Sequence, residues 1–217
     1  MPVQFLTAQQ RADYGRYVQE PTTLDLARYF HLDDTDRQRI ASKRGSHNRL
    51  GFALQLTTVR YLGRFLDDVT QAPSSVMDTL ARQLGLVEGA ILANYPDQRQ
   101  RLRHQDEICQ EYGYREITAP QVGFRLARWL YAQCWTGTER PFMLFERATT
   151  WLLAHKVVLP GASILERFIA KLRGRVEERL WGLLTQSLTS EQQQALDNLL
   201  VVPEGQRRSS FDQLRSG

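Results

Sequence analysis

The sequence predicts an all-α protein, and three observations carry that prediction. Apolar residues recur at helical spacing through nearly every stretch. Helix-start signatures and proline or glycine stops separate these stretches. Sustained alternation with β-branched enrichment is missing, apart from a brief patch at residues 156–159.

The elements follow in order. Thr7-Ala8-Gln9-Gln10 has the form of a capping box and should open a helix over about residues 8–18, ended by Glu20-Pro21. Thr22 is the next cap, followed by Leu24, Leu26, Ala27, Tyr29 and Phe30 on a short apolar helix. Asp33, Asp34 and Asp36 stand where a helix N-terminus favours negative charge, so the next helix should span residues 34–44 with Ile40 inward and Arg37, Arg39, Lys43 and Arg44 outward. Two short helices joined by a tight turn, the second basic, make a helix-turn-helix-like unit, although a plain three-helix bundle has the same pattern.

The stretch SKRGSHNR leads into RLGFALQLTTVRYLGRFL at residues 49–66, where apolar residues cover most of the helix surface. This helix should be buried on several sides, with Arg49, Arg60 and Arg64 along one rim. After a loop at residues 67–73, residues 76–95 offer a second helix-turn-helix candidate marked by Ala81, Gly85 and Ile91. Pro96 opens a helix with Leu102, Ile108, Cys109 and Tyr112 inward, and Gly113 stops it. Residues 117–120 look like a boundary, with Pro120 in the first turn of the following helix.

The second half begins with FRLARWLYAQCW, where Trp129, Tyr131 and Trp135 read as core residues, as do Phe142, Phe145 and Trp151 of the next segment. That segment ends at Pro160-Gly161. Ser163 and Glu166 form another capping box, opening a helix with Leu165, Phe168, Ile169, Leu172, Val176, Leu180 and Leu183 on one face and Gly174 as an interruption. A last helix starts at Thr189-Ser190 and reaches Leu200. The expected partition is a helical module or modules at residues 1–117, a second module at 118–202, and a linker or truncated tail at 203–217.

Composition narrows function. With 217 residues, 42% hydrophobic and 24% charged, the chain can bury a sizeable core. A net charge of +4, carried mostly by arginine, favours an acidic partner and suits bidentate phosphate contacts. Cys109 and Cys134 are too few for a disulfide framework or a cysteine zinc site. No signal segment or membrane-length apolar run is visible, which predicts a cytoplasmic setting without membrane association. No phosphate-cradling glycine loop, nucleophile elbow or zinc spacing is present, so no catalytic, metal or cofactor site is expected. Asp33, Asp34 and Asp36 are read as caps rather than magnesium ligands.

The functional signal is therefore three basic clusters. Arg37, Lys43, Arg44, His47, Asn48 and Arg49, with Arg60 and Arg64, form the first. Arg99, Arg101, Arg103 and His104 form the second, and Arg167, Lys171 and Arg175 the third. Charged faces of this kind neutralise phosphates, while solvated faces balanced by Asp67, Asp106, Glu107, Glu177 and Glu178 would look the same.

In order, LDLARYFHLDDTDRQRI, RLGFALQL, the run from Arg101 through His104 and Glu107 to Gly113-Tyr114-Arg115, and LPGASILER resemble the N-terminal region of the replicative transposases of the Tn-three family, over nearly the whole chain. The resemblance implies helical modules that recognise double-stranded DNA at the terminal inverted repeats of a transposon. It also implies that the RNase H-like domain holding the catalytic metal ions lies outside this chain. A nucleoid-associated bacterial chain without transposase catalysis of its own is the expectation, either a DNA-end-binding fragment or a truncated or stand-alone reading frame. The rival expectation is a protein-interaction module, the aromatic-rich second half packing on the rest of a transposase or on a second copy.

Overall fold

The computed structural model describes residues 5–86, 95, 98–136, 140–186, 188–203 and 208–215. Among these the fold is all-α, with eleven α-helices and one two-stranded ladder. The helices are α1 Ala8–Asp13, α2 Thr23–Tyr29, α3 Asp34–Ala41, α4 Ser46–Leu62, α5 Ser74–Leu84, α6 Gln98–Tyr112, α7 Pro120–Thr136, α8 Pro141–Ala154, α9 Ala162–Gln186, α10 Ser190–Leu200 and α11 Ser210–Arg215. The chain divides into two compact units, residues 1–170 and 171–217, the division falling within α9.

In the first unit α2, α3, α5 and α6 are arranged around α4. Its residues from Leu50 to Val59 are all buried, ten in succession, so it has no solvent face over that length. A helix of this kind must be covered on all sides, and α2, α3, α5 and α6 do so. Each large apolar side chain taken fully out of water, such as Phe52, Leu54 and Leu56, contributes about 1.5–3 kcal/mol. The polar residues trapped on α4 find internal partners. Gln55 donates to the carbonyl of Leu66 at 2.9 Å and accepts from its N–H at 3.0 Å, closing the chain that leaves the helix. Thr57 bonds back to the Ala53 carbonyl, and Thr58 meets the Tyr17 hydroxyl at 2.8 Å. Buried polar groups must be paired in this way or cost stability.

Caps expected from the sequence are present. Thr7 with Gln10, Thr22 with Asp25, Asp33 with Asp36 and Thr189 with Gln192 are reciprocal capping boxes. Several boundaries differ from expectation. Helix α1 ends at Asp13 instead of near residue 18, because the chain turns at Gly15, which has φ +67°. Helix α3 stops at Ala41, and the next starts after Gly45, whose φ of +77° suits glycine. The patch at residues 156–159 supplies Val157–Val158, which pairs in parallel with Arg115–Glu116. Gly174 does not interrupt α9.

The capping box expected at Ser163 gives way to a longer-range contact. The buried Glu166 carboxylate accepts from the N–H groups of Phe5 and Leu6 and from Arg11, drawing the N-terminal segment onto α9. The inward face expected for α6 is also rotated: Leu102 is exposed and His104 is buried beside Ile108. The tail contains α11, which packs on α10 within the second unit. The second helix of the Ala81, Gly85 and Ile91 candidate lies outside the described residues, although Gly85 does end α5 in the left-handed region.

Close approach explains Gly51. A Cβ there would sit 2.2 Å from the Tyr95 ring, deep in the core. Gly51→Ala is expected to lower stability by about 1–3 kcal/mol through overpacking. A urea-unfolding midpoint unchanged by the substitution would contradict this packing.

Candidate nucleic-acid interface

The clustered cations fall into two groups, those committed to interior contacts and those at the surface. Arg60 is the clearest interior case. Its guanidinium meets the Asp36 carboxylate in a bidentate pair, at 2.8 and 2.7 Å. Asp36 is fully buried and also accepts from the Tyr112 hydroxyl at 2.8 Å and from the Asp33 N–H at 3.2 Å. Burial pushes the Asp36 pKa up, but the hydrogen bonds and charge of Arg60, the Tyr112 hydroxyl and the Asp33 backbone outweigh it. The carboxyl is therefore held below its ordinary range. The expected DNA contact from Arg60 is thus replaced by a link between α3, α4 and α6.

His104 is the second correction. It is buried, its Nδ1 is 2.8 Å from the Tyr95 hydroxyl, and its Nε2 is 2.8 Å from the Gln100 amide. Burial first, then the charges of Lys43 and Arg103, overcome the opposing effect of Glu107 and depress its pKa to about 4. A neutral interior imidazole does not neutralise a phosphate.

Other nominated residues brace local structure. Arg37 donates to the carbonyls of Leu32 and Gln83, joining α3 to the end of α5. Lys43 pairs with Glu107 and lies 4.6 Å from the centre of the Phe52 ring. Arg49 donates to the Lys43 and Ala41 carbonyls just past α3, where positive charge complements the helix C-terminus. Asn48 donates to the Arg44 carbonyl. His47 is half-buried against Gly45. Arg64 stands 3.9 Å from Asp67, and Arg101 donates to the Asp67 carbonyl.

Arg44, Arg49, Arg99 and Arg103 are exposed. The Lys43–Glu107 and Arg39–Glu111 pairs bring the end of α3 against α6. Lys43 and Arg103 both act electrostatically on His104. The junction of α3 and α4 and the second cluster therefore share one region of the first unit. Arg167 is exposed in the first unit, and Lys171 and Arg175 are exposed in the second. Sequence reading missed Arg11 and Arg39, which pair with Glu166 and Glu111. No local spacing signals pairs separated by so many residues. Among the described residues no group of histidine, cysteine or acidic side chains could hold a metal ion. None of the described helices is long and apolar enough to cross a membrane.

An all-α unit built on a buried central helix, with basic residues gathered at one junction, defines a class that comparison with known proteins makes specific. Residues 5–172 match the model of a domain of unknown function, DUF4158, and the chain belongs to that family. It is 46% identical to the transposase for transposon gamma-delta of Escherichia coli (strain K12), over 100% of this chain and 22% of that protein. It is 28% identical to the transposase for transposon Tn1546 of Enterococcus faecium, over 91% of this chain and 20% of that protein. The chain thus spans about a fifth of the length of these relatives.

Two of the buried ionisable groups, Asp36 and His104, shape the response to acid. The Asp36 pKa is lowered on folding, so its stabilisation is complete above the unfolded carboxyl value and is lost as pH falls through the folded one. His104 is also lowered, from 6.5 to about 4, so between these values the unfolded chain binds the extra proton and stability falls as pH falls. The expected loss from His104 is about 2 kcal/mol between pH 8 and pH 5. Urea titrations should show this pH dependence reduced in His104→Gln. Arg60→Ala, which strands a buried carboxylate, should cost about 3–5 kcal/mol at pH 7.

Proposed function

We propose that this chain binds double-stranded DNA at the terminal inverted repeats of a transposon, as the end-recognition part of a transposase. The similarity to named transposases along the whole chain is the observation that carries this reading. The exposed arginines around the α3–α4 junction and on α6 supply its chemistry. Arg44, Arg49, Arg99 and Arg103 make the phosphate contacts that set register, with Lys43 and Arg101 at the margin of the surface. Strand cleavage and transfer belong to other parts of the transposase. The proposed modules are residues 1–117, which carry the DNA contacts around residues 34–49 and 99–104, and a second helical module at residues 118–202; Arg167 in the first unit, and Lys171 and Arg175 in the second, are further proposed contacts. Two tethered modules can read a long site in two parts, phosphate contacts fixing orientation and a few side chains reading bases.

Apolar exposure favours a second reading for the later part of the chain. Trp181, Leu183, Leu196, Leu200 and Val201 of the second unit are exposed, as is Phe124 in the first. Surfaces of this kind suit protein contact. The residue 118–202 module would then pack on another part of a transposase or on a second copy.

Fluorescence anisotropy with the inverted repeat of its own transposon, against a scrambled duplex, tests end recognition. Tighter binding to the repeat across a salt series supports it, and equal weak binding to both sinks it. Arg44→Ala and Arg103→Ala are each expected to reduce the log–log salt slope by about 0.9. Both should leave the urea midpoint within about 0.5 kcal/mol of the parent. A salt slope unchanged in both variants would remove these arginines from the interface.

A further inference from the structure

The first unit contains a cavity of about 410 Å³ between α2, α4, α8 and the strand pair, which plays no part in the reading above. That volume falls in the ordinary range for small-molecule sites, about 300–1,000 Å³. Three tyrosines, Tyr29, Tyr61 and Tyr114, line it together with Arg28, Arg60 and Lys156. No acidic residue is among its described lining residues. We propose that this cavity binds a nucleotide, the phosphate held by Arg28 and Lys156 and the base placed against the tyrosine rings.

The charge distribution supports the phosphate. Arg60 is neutralised by Asp36 and serves as a wall of the cavity. Arg28 and Lys156 carry no carboxylate partner among the described residues. Arg28 lies over the Tyr29 ring at 5.2 Å, and the Lys156 ammonium donates to the Tyr112 carbonyl at 3.3 Å. Asp25, the nearby acid, is engaged with Thr22 at the start of α2. Two cations of this kind in the lining of a largely apolar space will attract an anion. A guanidinium resting on an aromatic ring is well placed to hold phosphate.

The rings support the base. Tyr29 and Tyr61 lie 5.4 Å apart and tilted, with Phe30 5.3 Å behind Tyr61. All three cavity tyrosines are partly buried and line the space, with Tyr17 stacked on Tyr61 at 5.9 Å and Arg28 over Tyr29. Stacking on such a ring tolerates any base, because every base has a flat π face. Apolar anions lacking a flat ring would leave this surface unused.

The backbone of Lys156 is the most informative detail. Its φ is +52°, the left-handed region in which glycine is at ease. It is the one described non-glycine residue with positive φ. Its N–H donates to the Leu153 carbonyl, and its carbonyl accepts from the Arg115 N–H, so the turn after α8 fixes this conformation. The position demands the geometry of glycine, yet carries a long cation at the cavity. A left-handed residue just past a helix end is ordinarily glycine, and here the position carries a lysine.

The experiment is isothermal titration of the full chain with dAMP, deoxyadenosine and inorganic phosphate, alongside Lys156→Gly and Arg28→Gln. Lys156→Gly removes the cation while suiting the backbone, so its urea midpoint should hold or rise. Saturable binding of dAMP, at least about tenfold tighter than either half-ligand and weakened about tenfold by Lys156→Gly, is the expected result. Absence of saturable dAMP binding overturns the proposal. Equal binding of dAMP and phosphate, or a Lys156→Gly variant that binds like the parent, also overturns it. Competition between dAMP and a duplex with a single-stranded overhang identifies the source as an unpaired DNA nucleotide, and absence of competition identifies a free nucleotide. The dAMP titration contains no duplex, so its outcome is separate from that of end recognition.

Discussion

The fold depends on one fully buried carboxylate. Asp36 receives two hydrogen bonds from Arg60 on α4, one from Tyr112 on α6 and one from the backbone ahead of its own helix. Three helices are thereby fixed to a single pair of oxygens. A buried charge is costly to desolvate, and its partners must satisfy it with good geometry. The arrangement accordingly specifies position more than it adds stability, since only one register of α3, α4 and α6 brings all the donors together. Glu166 acts in the same manner elsewhere in the first unit, holding Arg11 and the Phe5 and Leu6 amides.

The enclosure of α4 imposes the remaining constraints. A helix without a solvent face cannot vary its side chains independently, so small residues appear where neighbours come closest. Gly51 lies under Tyr95, and Gly63 ends the helix at φ +71° with Leu153 and Leu159 against it. The Gly63 carbonyl accepts from the Leu159 N–H at 2.8 Å, which ties the end of α4 to the chain following β2, the Val157–Val158 strand. The Gln55 amide performs the equivalent task for Leu66. Contacts at both levels, packing and hydrogen bonding, thus converge on the same element.

Much of this was legible in the sequence because it is local. Helix-start signals span only four residues: the capping box at Thr7 forms as its spacing implies, and the starts read at Thr22, Asp33 and Thr189 form capping boxes too. The apolar residues that cover most of the helix surface over residues 49–66 announce burial on several sides. What was illegible is long-range. Ser163 and Glu166 have capping spacing, but the Glu166 carboxylate is drawn instead to the chain 155–161 residues away. Apolar periodicity favours Leu102 over His104 as an inward residue of α6. The order reverses because Tyr95 and Gln100 satisfy both imidazole nitrogens inside. Arginine in a basic run reads as surface charge, and only a distant acid such as Asp36 turns it into an interior residue.

That last point changes how the basic character should be interpreted. Withdrawing the Arg60–Asp36 and Arg11–Glu166 pairs from the surface removes equal positive and negative charge. The excess of four positive charges therefore stays with the remaining groups. Removing acids as well as bases raises the positive share of the surface that is left. The same internal pairing that ties Arg60 to Asp36 leaves Arg44 and Arg103 among the exposed cations. Interior contacts and exposed positive charge then rest on different arginines, drawn from clusters that the sequence presents as one.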